Sequence, residues 1–125
     1  MFQLNYRDTR PIYEQIKDQL RRLIMTGGIA QGEKLPSVRD MAAEAGVNPN
    51  TMQRAMAELE REGLVYSQRT SGRLVTEDES IIRQTKRSLA MRHVDVFLRA
   101  MASLGFSQED TLSLLRNAME TEDSK

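Results

Sequence analysis

Apolar residues near the start of the chain recur at the spacing of an amphipathic helix. They are Ile12, Ile16, Leu20, Leu23 and Ile24, a pattern that places one face of a helix against a core. Pro11 suits the first position of this helix, and the pair Gly27–Gly28 ends it. A connection punctuated by glycine and proline follows, as far as Pro36.

A second, short helix and a third are predicted on either side of a tight turn. Ser37, with Asp40 three residues later, resembles a capping box, and Gly46 suits the left-handed position that ends a helix. The pair Asn48–Pro49 is a strong start for a third helix that runs to about Glu62. Two helices joined by so tight a turn predict a helix-turn-helix, whose second helix projects far enough to enter a DNA groove.

A β-hairpin, the wing, is predicted after the third helix. Leu64–Tyr66 and Leu74–Thr76 have the composition of short strands, and Ser67–Arg73 between them is polar, with Gly72 near its tip. Beyond residue 77 the pattern is purely helical. A long fourth helix ends near Gly105, and Ser107 begins a fifth.

The predicted fold class is mainly α with a small β-hairpin. Residues 1–76 form a winged helix-turn-helix DNA-binding domain, and residues 77–125 form a helical dimerisation region of two helices. A chain of 125 residues with 39% hydrophobic content has room for one modest domain with such an appendage.

Composition excludes several other classes of protein. The chain has no cysteine, which excludes disulfides, thiolate metal sites and a cysteine nucleophile. Neither a signal-peptide pattern nor an apolar run long enough to span a bilayer is present, so we expect a cytoplasmic protein with no membrane partner. Formal net charge is zero, and residues 1–76 carry eleven basic and nine acidic residues. Nucleic-acid binding therefore depends on where the charges lie.

The predicted third helix separates its residues into two faces. Met52, Ala55, Met56 and Leu59 follow the spacing of a buried face, and the opposite face carries Asn50, Gln53, Arg54, Ala57 and Arg61. Amide and guanidinium groups can bond the edges of adenine and guanine. No acidic residue lies between Gly46 and Ala57, so the first turns can approach phosphates. A merely solvated helix face is the alternative, but the preceding turn and the following basic hairpin favour DNA binding.

Residues on either side of this helix are further candidates. Arg39 could bond a phosphate or an edge base, and its alternative is a surface ion pair with Glu14 or Asp40. The wing could reach a minor groove, where arginine finds enhanced negative potential and glycine allows close backbone approach. Its candidate residues are Arg69, Ser71, Gly72 and Arg73. An ordinary solvated turn is the alternative for the wing.

Several short segments within residues 7–76 form a recognisable set. They are Pro11–Ile16, Leu35–Arg39, Gly46–Thr51, Glu58–Gly63 and the wing residues Gly72 and Val75. The set resembles the DNA-binding domain of the GntR family of bacterial regulators. The resemblance implies DNA contacts through Arg39, Asn48, Asn50, Thr51, Gln53 and Gly72. The chain departs from the common family pattern at Gln53, Thr70 and Leu74.

The helical tail resembles that of the YtrA-type subfamily, including the link Gly105–Asp110. The resemblance implies a homodimer, and two helices alone cannot bury their apolar stripes without a partner. A twofold dimer would set two recognition helices about 34 Å apart, to match an inverted repeat. We therefore expect a homodimeric transcription regulator bound to double-stranded operator DNA, and the family resemblance implies that it is a repressor.

Enzymatic and ligand-binding functions have little support. The single histidine, His93, has no cysteine or second histidine to accompany it, so no catalytic residue, metal or cofactor is expected. Met91, Met101 and Met119 could line an effector pocket, but packing is favoured and any effector is unknown. A winged-helix adaptor that binds proteins is the alternative function, and it predicts no specific duplex binding.

Overall fold

A computed structural model describes residues 1–123 as five helices and one β-hairpin. In chain order the elements are α1 (Ile12–Thr26), α2 (Val38–Ala45), α3 (Pro49–Arg61), β1 (Val65–Gln68), β2 (Gly72–Val75), α4 (Glu79–Ser103) and α5 (Gln108–Asp123). Every predicted helix is present, so the mainly α fold class with a small hairpin is confirmed. The chain divides into two compact units, residues 1–85 and the part from Lys86 onward. The functional boundary after residue 76 stays a prediction.

The predicted caps form at the starts of α2 and α3. The Ser37 hydroxyl accepts a hydrogen bond of 3.0 Å from the Asp40 N–H, and Asn48 Oδ1 accepts one of 2.8 Å from the Asn50 N–H. Gly46 has φ +70°, a left-handed conformation that is strained for residues with a side chain. The turn is therefore fixed by local chemistry.

The core of the first unit lies between α1, α2, α3 and the hairpin. Its buried apolar residues are Ile16, Leu20, Ile24, Ile29, Leu35, Met41, Ala42, Met52, Ala55, Met56, Leu59, Leu64, Val65 and Val75. Ile81 and Ile82, in the first turn of α4, pack against this core. α3 packs against both α1 and α2. One face of α3 is therefore buried in the core, and the opposite face is exposed to solvent.

The hairpin is longer than predicted. β1 and β2 pair antiparallel from Val65 opposite Val75 to Gln68 opposite Gly72, so the turn consists of residues 69–71. The predicted loop Ser67–Arg73 was too long. Its polar ends still pair, because backbone hydrogen bonds hold this solvent-exposed hairpin without apolar side chains.

The segment before α2 also joins the hairpin. Lys34 forms an antiparallel bridge with Leu74, and the Leu35 N–H donates a hydrogen bond of 2.9 Å to the Arg73 carbonyl. The sequence pattern predicted only an irregular connection here. The pairing places the start of α2 next to the wing.

A strap of residues at the amino-terminal end attaches to α1. The Gln15 side-chain amide accepts a hydrogen bond from the Asn5 N–H at 2.8 Å and donates one to the Asn5 carbonyl at 2.9 Å. Gln19 makes the same two kinds of bond with Gln3. The two bonds with Asn5 satisfy the buried Gln15 side chain.

The predicted tail helices leave most of their apolar surface uncovered. At least 40% of each of these residues is exposed: Met91, Val94, Val96, Leu98, Leu104, Phe106, Leu112, Leu114, Leu115 and Met119. Ser107 caps α5 by accepting a hydrogen bond of 3.1 Å from the Asp110 N–H. Among residues 1–123, no helix is both long and apolar enough to cross a membrane.

Candidate nucleic-acid interface

α3 has the two faces that its sequence predicts. Met52, Ala55, Met56 and Leu59 are fully buried, whereas Asn50, Gln53, Arg54, Ala57 and Arg61 are exposed. Within residues 1–123, the Asn50 and Gln53 side chains make no hydrogen bond. Their amide groups are therefore available to an external partner.

The first residues of α3 combine capping with exposure. Asn48 is exposed, and its Oδ1 accepts the Asn50 N–H. That bond leaves the Asn48 amide NH₂ as a donor. Thr51 is half-buried beside it, and the Thr51 N–H donates to the Asn48 carbonyl at 3.0 Å. Polar donors and the positive end of the helix dipole therefore coincide at this end.

Acidic residues gather at the opposite end of α3, and each has a basic partner from another element. The pairs are Glu58 with Lys17 at 2.9 Å, Glu60 with Arg73 at 3.4 Å and Glu62 with Arg21 at 2.6 Å. The hydrogen bond from Lys17 lowers the pKa of Glu58, with smaller contributions from the charges of Arg54 and Arg61. The acidic end of the helix is thus bound internally.

Arg39 lies in the first turn of α2 and is exposed. Neither Glu14 nor Asp40 pairs with it, and its guanidinium has no hydrogen bond or ion pair within residues 1–123. The ion-pair alternative is therefore not seen, and the charge of Arg39 faces solvent.

The wing residues differ in how free they are. Arg69, in the turn, is exposed and has no ion pair within the described part of the chain. Arg73 is held back by Glu60, which also accepts a hydrogen bond from the Ser67 hydroxyl. Ser71 is half-exposed, and Gly72 is exposed with φ +80°, a conformation that favours glycine. Arg69 is thus the freer arginine of the two.

An open groove of about 810 Å³ separates the wing from the start of α2. Its lining includes Lys34, Ser37, Gln68, Gly72 and Arg73. A methyl group placed on Gly72 would lie 3.6 Å from Lys34 Cε. Asp40 also lines the groove, which therefore combines two basic side chains and one acidic side chain with polar groups.

Arg54 is exposed, and its guanidinium contacts α1. Its guanidinium carbon lies 3.9 Å from the centroid of the Tyr13 ring, well within the range of a cation–π interaction. Arg54 makes no hydrogen bond within residues 1–123, so its N–H groups are available to an external acceptor.

Comparison with known families identifies the family of proteins to which this chain belongs. The family model described as bacterial regulatory proteins, gntR family, matches residues 12–75, from the first residue of α1 to the last of β2. The chain belongs to the GntR family. GntR proteins are DNA-binding transcription regulators, so this chain is a regulator and not an enzyme.

Two relatives from Bacillus subtilis (strain 168) extend this result. The chain is 36% identical over 115 residues to the uncharacterised HTH-type transcriptional regulator YhcF, covering 92% of this chain and 95% of YhcF. It is 44% identical over 78 residues to the HTH-type transcriptional repressor YtrA, covering 62% of this chain and 60% of YtrA. The predicted resemblance to YtrA-type GntR regulators is confirmed.

Solved structures agree. A GntR family transcriptional regulator from Listeria monocytogenes has a TM-score of 0.80 at 37% identity, covering 88% of this chain and 96% of that one. The DNA-binding domain of AraR in complex with operator ORE1 has a TM-score of 0.52 at 28% identity, covering 61% of this chain and 93% of that one.

The segments that resemble GntR proteins have identifiable structural roles here. Leu35–Arg39 leads into α2 beside the groove, and Gly46–Thr51 forms the tight turn and the cap of α3. Glu58–Gly63 supplies the three bound glutamates and ends with φ +84° at Gly63. The glutamates that bind other elements and the exposed polar residues therefore lie in different segments.

Sequence reasoning missed two residues at this GntR surface. Lys34 lines the groove. Its position directly before the Leu35–Arg39 segment is the sequence feature that could have identified it. Tyr13 contacts Arg54, and the signal was the four-residue spacing of Tyr13, Lys17 and Arg21 beside the apolar stripe of α1. No group of histidine, aspartate or glutamate side chains that could hold a metal occurs within residues 1–123.

Proposed function

We propose that this GntR protein is a transcriptional repressor that binds an inverted-repeat operator as a homodimer. The observation that carries the proposal is the outer face of the amino-terminal half of α3, which is exposed, free of acidic residues and supplied with unbonded amide groups. An α-helix fits the major groove of B-DNA, where amides pair with adenine and guanidinium groups with guanine. The similarity to the repressor YtrA and to the DNA-binding domain of AraR in complex with its operator supports repression and operator binding.

The proposed DNA-binding residues come from α2, α3 and the wing: Arg39, Asn48, Asn50, Thr51, Gln53, Arg54, Arg69, Ser71, Gly72 and Arg73. Asn50 and Gln53 read base edges, and Arg39 bonds a phosphate or an edge base. Arg69 enters the minor groove. Arg73 must exchange Glu60 for a phosphate, so its net contribution is smaller than that of Arg69.

The tail supports the homodimer. Its apolar side chains are exposed over both α4 and α5, and monomeric proteins rarely leave a large apolar patch uncovered. A second copy of residues 77–125 would cover it with the same surface, as a twofold interface requires. As a regulator of bacterial DNA, the dimer would act in the cytoplasm.

Selection of duplexes from a random pool by the purified full chain tests the proposal. We expect a consensus with two inverted half-sites, and affinity that falls steeply as salt rises because cations are released from the phosphates. Failure to enrich any duplex would favour the protein-binding adaptor. A consensus without symmetry would contradict the homodimer, as would a monomeric mass in light scattering.

Variants assign the contacts on the selected duplex. Gln53→Ala should change the preferred base at one position of each half-site, whereas Arg39→Ala should weaken binding and lower the salt slope by about one. Arg22→Ala is the matched control, because Arg22 is an exposed arginine of α1 outside the proposed site. Equal behaviour of Arg39→Ala and Arg22→Ala would contradict the assignment of Arg39.

A further inference from the structure

Side chains of α1 and α3 meet in pairs at intervals of four residues along both helices. The pairs are Tyr13 with Arg54, Lys17 with Glu58 and Arg21 with Glu62. We name them the α1–α3 ladder. Because residues four apart lie on one helix face, the ladder holds a single face of α3 in register with a single face of α1.

The ladder is anchored most firmly at its last pair. The Arg21 side chain is 6% exposed and donates two hydrogen bonds to the Glu62 carboxylate, at 2.6 and 2.7 Å. It also donates to Asp18 at 3.0 Å, and Arg10 donates to the other oxygen of Asp18 at 2.6 Å. This end is therefore fixed, whereas the first pair lies at the exposed face of α3.

The middle pair binds one oxygen of Glu58, and Arg54 forms no ion pair with that residue of its own helix. Glu58 lies four residues after Arg54, where the two would ordinarily pair on the surface of α3. Lys17 Nζ occupies Glu58 Oε2 at 2.9 Å, and no hydrogen bond or ion pair joins Arg54 to Glu58. The guanidinium instead lies over Tyr13, one helical turn after the exposed Asn50.

We propose that Tyr13 is a positioning residue for DNA binding that holds the Arg54 guanidinium ready for the duplex. An aromatic face contacts the guanidinium without accepting its N–H groups, so all of its donors remain for a phosphate or a guanine edge. Order before binding lowers the entropy lost on binding. The proposal rests on the proposed operator binding and adds a role for a residue outside α2, α3 and the wing.

The test compares full-length variants on the duplex selected by the wild-type chain. Tyr13→Leu should weaken binding about two- to tenfold, which corresponds to the entropy lost when one long side chain becomes ordered on binding. Tyr13→Phe keeps the ring and should bind like the wild type. In an Arg54→Ala background, Tyr13→Leu should have no further effect on affinity, because the residue that it positions is gone.

Other outcomes overturn the proposal. Unchanged or tighter binding by Tyr13→Leu would mean that the ring is irrelevant or competes with DNA. An equal loss with and without Arg54 would show that Tyr13 acts through the fold alone. If Tyr13→Leu does not fold, the Arg54 side-chain resonances of the wild type decide, because a guanidinium over the ring must be shifted by ring current before and after duplex addition. Absence of any selected duplex would instead refute the proposed function.

Discussion

The Arg21–Glu62 pair has unequally buried members, so removing one or the other should have unequal effects on stability. Glu62→Ala deprives a guanidinium that is 6% exposed of two hydrogen bonds. That guanidinium keeps one bond to Asp18, and its Nε already has no partner within residues 1–123. We expect the free energy of unfolding to fall by about 2–3 kcal/mol, the cost of a buried charge left partly unpaired.

Arg21→Met should be much milder. It leaves the carboxylates of Glu62 and Asp18, which are 33% and 34% exposed and can therefore be hydrated. The methionine fills the same apolar space without a buried charge, so the expected loss is about 0–1 kcal/mol. Carboxylate removal should therefore cost roughly 2 kcal/mol more than guanidinium removal.

Urea unfolding of the variants at one fixed protein concentration measures this difference, because the stability of the proposed homodimer depends on concentration. Arg22→Met, one residue along α1 at an exposed position, is the control and should change stability by less than about 0.5 kcal/mol. If Arg21→Met destabilises the protein as much as Glu62→Ala does, the reasoning from unequal burial is wrong.

Further predictions concern the other pairs and the cap. Lys17→Met should release Glu58 to pair with Arg54, and duplex binding should weaken. Adding Glu58→Gln should restore duplex binding. Titration with the selected duplex measures both effects. Because Lys17 lowers the pKa of Glu58, the pair stabilises the fold above the ordinary carboxyl pKa, and this stability disappears as pH falls through the lowered one. Urea unfolding at several pH values should show that the stability of Lys17→Met depends less on pH than the stability of the wild type. Asn48→Ala should lower the free energy of unfolding by about 1 kcal/mol through loss of the cap, again measured with urea. Glu60→Gln should free the wing arginine that it binds and tighten binding to non-specific duplex at low salt, and unchanged binding would contradict this.

Local features of the fold were predictable because their causes lie within a few residues. The buried spacing of α3, its Asn48 cap and the glycine that ends α2 each depend on neighbours in sequence. The polar ends of the hairpin were not predictable, because their pairing depends on backbone hydrogen bonds that carry no apolar signal. The bridge between Lys34 and Leu74 joins segments about forty residues apart, and no local pattern reveals it.

The same limit applied to the candidate site. The exposed face of α3 follows from periodicity, and its acid-free first half can be read directly. The partners of the acidic end lie on α1 and on the wing, so the sequence shows three glutamates without showing that each is bound. Tyr13 was missed for this reason, since its contact with Arg54 crosses from α1 to α3.

These pairings explain how a chain of zero formal net charge can offer a basic surface. Glu58, Glu60 and Glu62 are bound by basic groups of α1 and of the wing, whereas Lys34, Arg39 and Arg69 have no acidic partner within residues 1–123. At physiological salt a charge acts over about 8 Å, so an approaching phosphate responds to the nearest unpaired groups and not to the total. Internal pairing of the acidic end of α3 therefore lowers its repulsion of a phosphate without changing the net charge of the protein.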